Sequence, residues 1–134
     1  MTLSVLRLLL AAAICAACLG GWALVRKIVL SRTSRAAAGL PAFLPGLPGI
    51  LYFTTPDCIT CRAAQRPALT DLQKQLDGGV QVIEIDAVER PDLARRWSVL
   101  SVPTTFILDR DGRTRQVNHG FASTAKLRSQ LQKV

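Results

Sequence analysis

Two cysteines, Cys58 and Cys61, stand two residues apart in the stretch FTTPDCITCRAAQ, which runs from Phe53 to Gln65. Thiols at this spacing can exchange electrons as a dithiol, supply half of a metal site, or pack as inert small residues. A thiol-rich metal site needs two further soft ligands. Outside the N-terminal apolar segment the chain has no other cysteine and a single histidine, His119. Redox chemistry is the better account, because the reactive species is the thiolate and a helix N-terminus stabilises it through unpaired N–H groups and a partial positive charge. Cys58 falls where an apolar run hands over to a helical pattern. Cys61, one turn further on, is placed to attack a mixed disulfide formed on Cys58. Lowering a thiol pKa from ~8.5 toward ~7 raises the thiolate fraction at neutral pH from a few per cent to about half. Asp57 opposes that shift as a like charge unless it caps the helix instead, and Arg62 compensates from the other side.

The elements that must position this pair can be read from hydrophobic periodicity. Ile50 to Thr54 is a short apolar and aromatic run that ends at the Thr55-Pro56-Asp57 turn, as a buried strand does. From Cys58 to Leu76, apolar residues at Ala64, Ala68, Leu69, Leu72 and Leu76 recur every three or four positions, which predicts an amphipathic helix stopped by Gly78-Gly79 and kinked at Pro67. Val80 to Asp86 alternates as a second strand, and Pro91 to Trp97 forms a short helix. Thr104 to Leu108 and Arg113 to Asn118 form a hairpin around Asp109-Arg110-Asp111-Gly112, and Ser123 to Leu131 closes the domain as a helix. The order β-α-β-α-β-β-α predicts an α/β fold: a mixed sheet with helices on both faces. Trp97 is expected in the core, and Arg90, Arg95 and Arg96 on a solvated helix face.

Charge divides the 134 residues unevenly. Of the net +8, residues 1–48 carry five basic residues and no acid, and residues 49–134 carry twelve basic and nine acidic, so +5 adds to +3. The later basic residues are interleaved with acids, which excludes the clustered basic stripe of a nucleic-acid interface. Leu8 to Val25 carries no charge, and its eighteen residues nearly match the thickness of a bilayer's hydrocarbon core. A single transmembrane helix is therefore expected within an N-terminal anchor at 1–30. A cleaved signal peptide is the competing reading, weakened because the apolar run continues past Gly21 through Trp22 to Val25. Arg26, Lys27, Arg32 and Arg35 follow the span while only Arg7 and the amino terminus precede it. The positive-inside rule then puts the following domain on the cytoplasmic side of the cell membrane. Residues 31–48, broken by Pro41, Pro45 and Pro48, read as a tether to a domain at 49–134. Cys15 and Cys18 share a helix face, but alanines surround them and no polar helper lies near, so they read as small membrane-helix residues and not as a relay.

Three separated motifs between Ile50 and Gln130 resemble thioredoxin. TPDCITCR is similar to the family's active-site segment, which implies Cys58 as nucleophile, Cys61 as resolving cysteine and a redox-active disulfide between them. WSVLSVPTTFIL resembles the segment whose proline follows a cis peptide bond and packs against the dithiol, here Val102-Pro103. Substrate segments would pair with the Val102 backbone by strand addition. HGFASTAKL places Gly120 at the glycine that opens the last helix and leaves room for a partner's backbone. The chain departs from the family at four points. Ile59-Thr60 stands between the cysteines where thioredoxin has Gly-Pro, Asp57 replaces the preceding tryptophan, Tyr52 occupies the position of a buried acid, and the family's first strand and helix are missing. Asp57, Ile59, Thr60 and Arg62 would accordingly tune the pair.

The resemblance, taken with the apolar N-terminal run, implies a membrane-anchored, monomeric thiol-disulfide oxidoreductase that reduces membrane-associated protein disulfides. It would use no metal and no cofactor beyond its own dithiol, and would be recharged by an unidentified electron donor. Two alternatives stand beside it: an outward-facing disulfide oxidase or isomerase, and a non-catalytic peptide-binding module that uses the Val102-Pro103 groove.

Overall fold

A computed structural model describes residues 2–37, 40 and 42–134. The chain divides into two compact units, residues 1–32 and 33–134. Helix α1 (Thr2–Ala37) covers the apolar run expected to cross a bilayer. Among the described residues no helix is long and apolar enough to cross a membrane. Cys15 and Cys18 lie on α1 as free, exposed thiols.

The second unit is built on strands β1 (Gly49–Thr54), β2 (Gln81–Asp86), β3 (Thr104–Leu108) and β4 (Thr114–His119), with helices α2 (Arg66–Leu76), α3 (Pro91–Arg96) and α4 (Thr124–Leu131). The sheet order is β2-β1-β3-β4; β2 runs parallel to β1, while β1–β3 and β3–β4 are antiparallel. This is the mixed sheet that the alternation predicts. Period-two alternation along β1 sends Leu51 and Phe53 to one face and Ile50 and Tyr52 to the other, and all four are fully buried. The first face packs with Phe106, Leu108, Leu93 and Trp97; the second packs with Leu69 and Leu72 of α2 and Leu127 and Leu131 of α4. Phe53, Trp97 and Phe106 form an aromatic cluster, with Trp97 edge-on to Phe106 at a centroid distance of 4.8 Å.

Within the proline-rich stretch expected to be a tether, Leu40 and Phe43 are buried in the first core. Gln81 fastens the same stretch: its amide accepts from the Leu44 N–H and donates to the carbonyls of Leu44 and Leu47. The prolines break regular structure there, but the apolar residues between them still bury against the sheet.

At the β3–β4 turn, one oxygen of Asp109 accepts from the N–H groups of Asp111 and Arg113, and the other accepts from Arg115 Nε at 2.8 Å. Burial pushes this carboxyl up, but the N–H of Arg113, the Arg115 guanidinium and the N–H of Asp111 outweigh it and hold the pKa below the usual value. A carboxylate depressed in the folded state contributes stability that is complete above its unfolded pKa of ~3.9 and is lost as pH falls through the lower folded value. Asp109→Asn is expected to lower stability at neutral pH by about 1.5 kcal/mol and to flatten the acid limb of the stability profile. Denaturant unfolding of both proteins across pH 2 to 7 checks this; parallel profiles would contradict it.

Candidate redox site

The dithiol sits where β1 ends. After Thr54 the chain turns, with the Cys58 N–H donating to the Thr55 carbonyl at 3.2 Å, and enters a helix at Ile59. Cys58 and Cys61 are joined as a disulfide. Cys58 is half-buried, whereas Cys61 is completely enclosed. The Cys61 N–H donates to Cys58 Sγ at 3.1 Å. Cys58 sulfur therefore does what a capping oxygen does at a helix start, satisfying one of the orphan N–H groups. Asp57, for which capping is the alternative to opposing the thiolate, is exposed and makes no side-chain hydrogen bond among the described residues. The cap is the cysteine itself, which brings its sulfur to the N–H groups that stabilise a thiolate.

The helix does not continue as a regular α-helix. Cys61–Gln65 is a π turn, closed by the Arg66 N–H donating to the Cys61 carbonyl, and α2 follows with Pro67 in its first turn. A proline inside a helix has no N–H to donate, and its ring crowds the carbonyl four residues earlier. The wider turn ahead of it puts Pro67 where a missing N–H goes unnoticed. The expected kink is thus realised as a change of helical winding. On the buried face Gln65 is fully enclosed, and Ala64 beside it is half-buried.

Gln65 is a functional candidate that sequence reasoning missed. Fully buried, it accepts from the Ala122 N–H at 2.9 Å and donates to the Ala122 carbonyl at 3.1 Å, clamping the turn after Cys61 to the loop before α4. The available signal was a polar residue four positions after Cys61, in line with Leu69 and Leu72. Tyr52, by sequence, stands where the resembling family has a buried acid. Its buried hydroxyl donates to the Cys61 carbonyl over a long 3.4 Å. Burial, opposed by a hydrogen bond with Thr54, raises its pKa above 10.0.

The other predicted positions gather at the same end of the sheet. The Val102-Pro103 bond is cis. Pro103 is buried, Val102 half-buried, and Val102 touches both core clusters, the second of which includes Cys58 and Cys61. The Pro103 carbonyl accepts from the Gly120 N–H at 2.8 Å. Gly120 has φ +83°, which side-chain-bearing residues rarely adopt, and an added Cβ would meet nothing within 4 Å. Glycine is required there by the backbone, and open space lies beside it. Ile59, Thr60 and Arg62 are exposed around the disulfide. His119 ends β4 and is exposed. Among the described residues no cluster of three or more histidine, cysteine or carboxylate side chains could hold a metal.

A protein-family model described as a thioredoxin-like domain matches residues 44–134. The thioredoxin of Synechocystis is 31% identical over 61 residues, 46% of this chain and 56% of that one. The Bacillus subtilis thioredoxin is 27% identical over 81 residues, 60% and 76% of the two chains. The chain thus spans little more than half the length of the cyanobacterial relative. Among solved structures, a malaria-parasite thioredoxin-2, described as a component of that parasite's protein secretion machinery, superposes with a TM-score of 0.64 at 25% identity over 69% of this chain and 87% of its own. Thioredoxin 1 of Thermosipho africanus gives 0.55 at 25% identity over 63% and 91%.

Proposed function

The chain belongs to the thioredoxin-like family, and on that premise we propose that it is a thiol-disulfide oxidoreductase that reduces protein disulfides. The observation that carries this is the inequality of the two sulfurs. Cys58 is reachable and sits at the helix start, accepting the Cys61 N–H, while Cys61 is enclosed behind it. In the reduced protein the Cys58 thiolate attacks a substrate disulfide, forms a mixed disulfide and releases one substrate thiolate, which takes a proton. The Cys61 thiolate then attacks Cys58 Sγ and expels the second substrate sulfur. Two electrons pass to the substrate, and the protein is left with the Cys58–Cys61 disulfide. An external dithiol donor resets it, and the reaction calls on no other cofactor.

Val102, Pro103 and Gly120 frame the groove for the substrate backbone, and Asp57, Ile59, Thr60 and Arg62 tune the pair. The uncharged run from Leu8 to Val25 anchors the chain to the cell membrane, with the redox domain on the cytoplasmic side as a monomer; the length of that run and the basic residues after it support this reading. Substrates then share the membrane surface, where tethering raises their effective concentration.

Equilibration of the full chain in graded thiol/disulfide buffers, with alkylation and mass mapping of residues 58 and 61, tests the chemistry. One reversible two-electron transition is expected, absent in Cys58→Ser. A pair that never titrates would leave a peptide-binding module as the account of the same groove. A strongly oxidising potential would point instead to an oxidase or isomerase.

A further inference from the structure

Most of the exposed large apolar side chains of the redox unit gather at one end of the sheet. Phe53 of β1 lies opposite Thr104 of β3, which lies opposite His119 of β4, and Thr54 pairs with Asp86 of β2. The chain segments after β1, after β2, before β3 and after β4 therefore all leave the sheet around the disulfide. They carry Ile59 (73% exposed), Val88 (66%), Leu100 (95%) and Phe121 (49%). In residues 42–134 only Leu44 is also recorded as a large, exposed apolar side chain, so four of five fall at this end.

Leu100 is the most exposed of them, and its loop is not slack. The Ser98 N–H donates to the Arg95 carbonyl at 3.0 Å, the Val99 N–H to the Ala94 carbonyl at 2.8 Å, and the Thr104 hydroxyl to the Ser101 carbonyl at 2.7 Å. Val99 and Val102 on either side pack against the core. Leu100 is thus held out between two anchored neighbours, which costs apolar exposure with no gain to the fold. Beside it is a depression of about 180 Å³ lined by Thr55, Ala87, Val99, Leu100, Ser101 and Val102. None of these residues is charged, and the volume is below the ~300–1,000 Å³ of small-molecule sites. It suits one apolar side chain of a polypeptide. Thr55 also holds the Cys58 N–H, so a segment bonded to Cys58 brings its neighbouring residues onto this surface.

We propose that Leu100, flanked by Ile59 and Phe121, makes the site selective for protein disulfides in which a large apolar residue adjoins the reacting cysteine. This rests on the oxidoreductase reading above. Leu100 is a specificity-determining residue here and takes no part in the bond changes.

The test uses the reduced full chain in lipid nanodiscs and two disulfide-containing peptides that differ only in the residue beside the attacked cysteine, leucine in one and serine in the other. The wild type should show kcat/KM about tenfold higher for the leucine peptide. The ratio should fall toward one in Leu100→Ser and return in Leu100→Met. Because the readout is a ratio within each protein, a general loss of folded protein does not mimic it. Equal rates in the wild type, or a ratio unchanged in Leu100→Ser, would overturn the proposal. If the wild type reduces neither peptide, the oxidoreductase reading itself fails and this inference goes with it.

Discussion

Replacing Cys61 with serine should abolish turnover and leave the substrate covalently attached through Cys58. The half-buried, reachable sulfur of Cys58 is still present in this variant, still at the helix start and still accepting an N–H from residue 61, so the first exchange proceeds. The second exchange has lost its nucleophile. Well-oriented intramolecular groups reach effective molarities of about 10⁵ M and above, whereas an external thiol is present at millimolar levels. Release should therefore slow by roughly 10³-fold or more even if only a small part of that advantage operates here. Cys58→Ser should be equally inactive but form no adduct, because Cys61 is wholly enclosed and cannot meet a substrate disulfide. Intact mass after a peptide-disulfide challenge distinguishes the two. Expected is a mass increase of one peptide half in Cys61→Ser and none in Cys58→Ser. The reverse pattern would exchange the roles assigned to the cysteines, and adducts on neither would remove the chemistry altogether.

The strands and helices of the redox unit were legible because each announces itself locally. β3, Thr104–Leu108, matches the apolar run bounded by Pro103 and the Asp109 turn, and α4 begins where Ser123 accepts the Lys126 N–H as a capping side chain. The disulfide partners and the cis bond at Val102-Pro103 were legible for a different reason: the motifs that resemble thioredoxin carry them together. What escaped depends on winding and long-range contact. The π turn leaves no mark in the apolar pattern, and Gln65 is passed over because it is polar, although it lies four residues from both Cys61 and Leu69. The amide clamp from Gln65 to Ala122 spans 57 residues, and no local pattern encodes it. Leu40 and Phe43 fall in a stretch that reads as tether because prolines nearby forbid regular structure, yet irregular backbone can bury apolar side chains as well as a strand does. The apolar N-terminal run predicts a span; the structure shows a helix there and, among the described residues, nothing long and apolar enough to cross a membrane.

Tyr52→Asp should be the most damaging single change in the second core and should make stability fall as pH rises. Tyr52 fills space between β1 and the π turn and is fully buried. Deleting a buried aromatic ring costs about 3–5 kcal/mol. A carboxyl placed there is desolvated, so its folded-state pKa rises above the unfolded value of ~3.9. Below ~3.9 both states hold the proton and only the packing loss is felt. Above it the unfolded chain ionises first, and stability declines by about 1.4 kcal/mol per pH unit until the folded-state value is reached. Denaturant melts at pH 4 and pH 7 should show this widening deficit, and a pH-independent one would mean that water reaches the site. Tyr52→Phe provides the mechanistic half of the test. A phenol is neutral near pH 7 in any case and burial only raises its pKa further, and this one donates to the Cys61 carbonyl, not to a sulfur. It holds the π turn and takes no proton from Cys61. Removing the hydroxyl should cost about 1 kcal/mol while leaving the pH dependence of mixed-disulfide resolution where it is in the wild type. A shifted profile in Tyr52→Phe would put the phenol in the proton path. An unshifted one leaves Cys61 to lose its proton to solvent without a buried base.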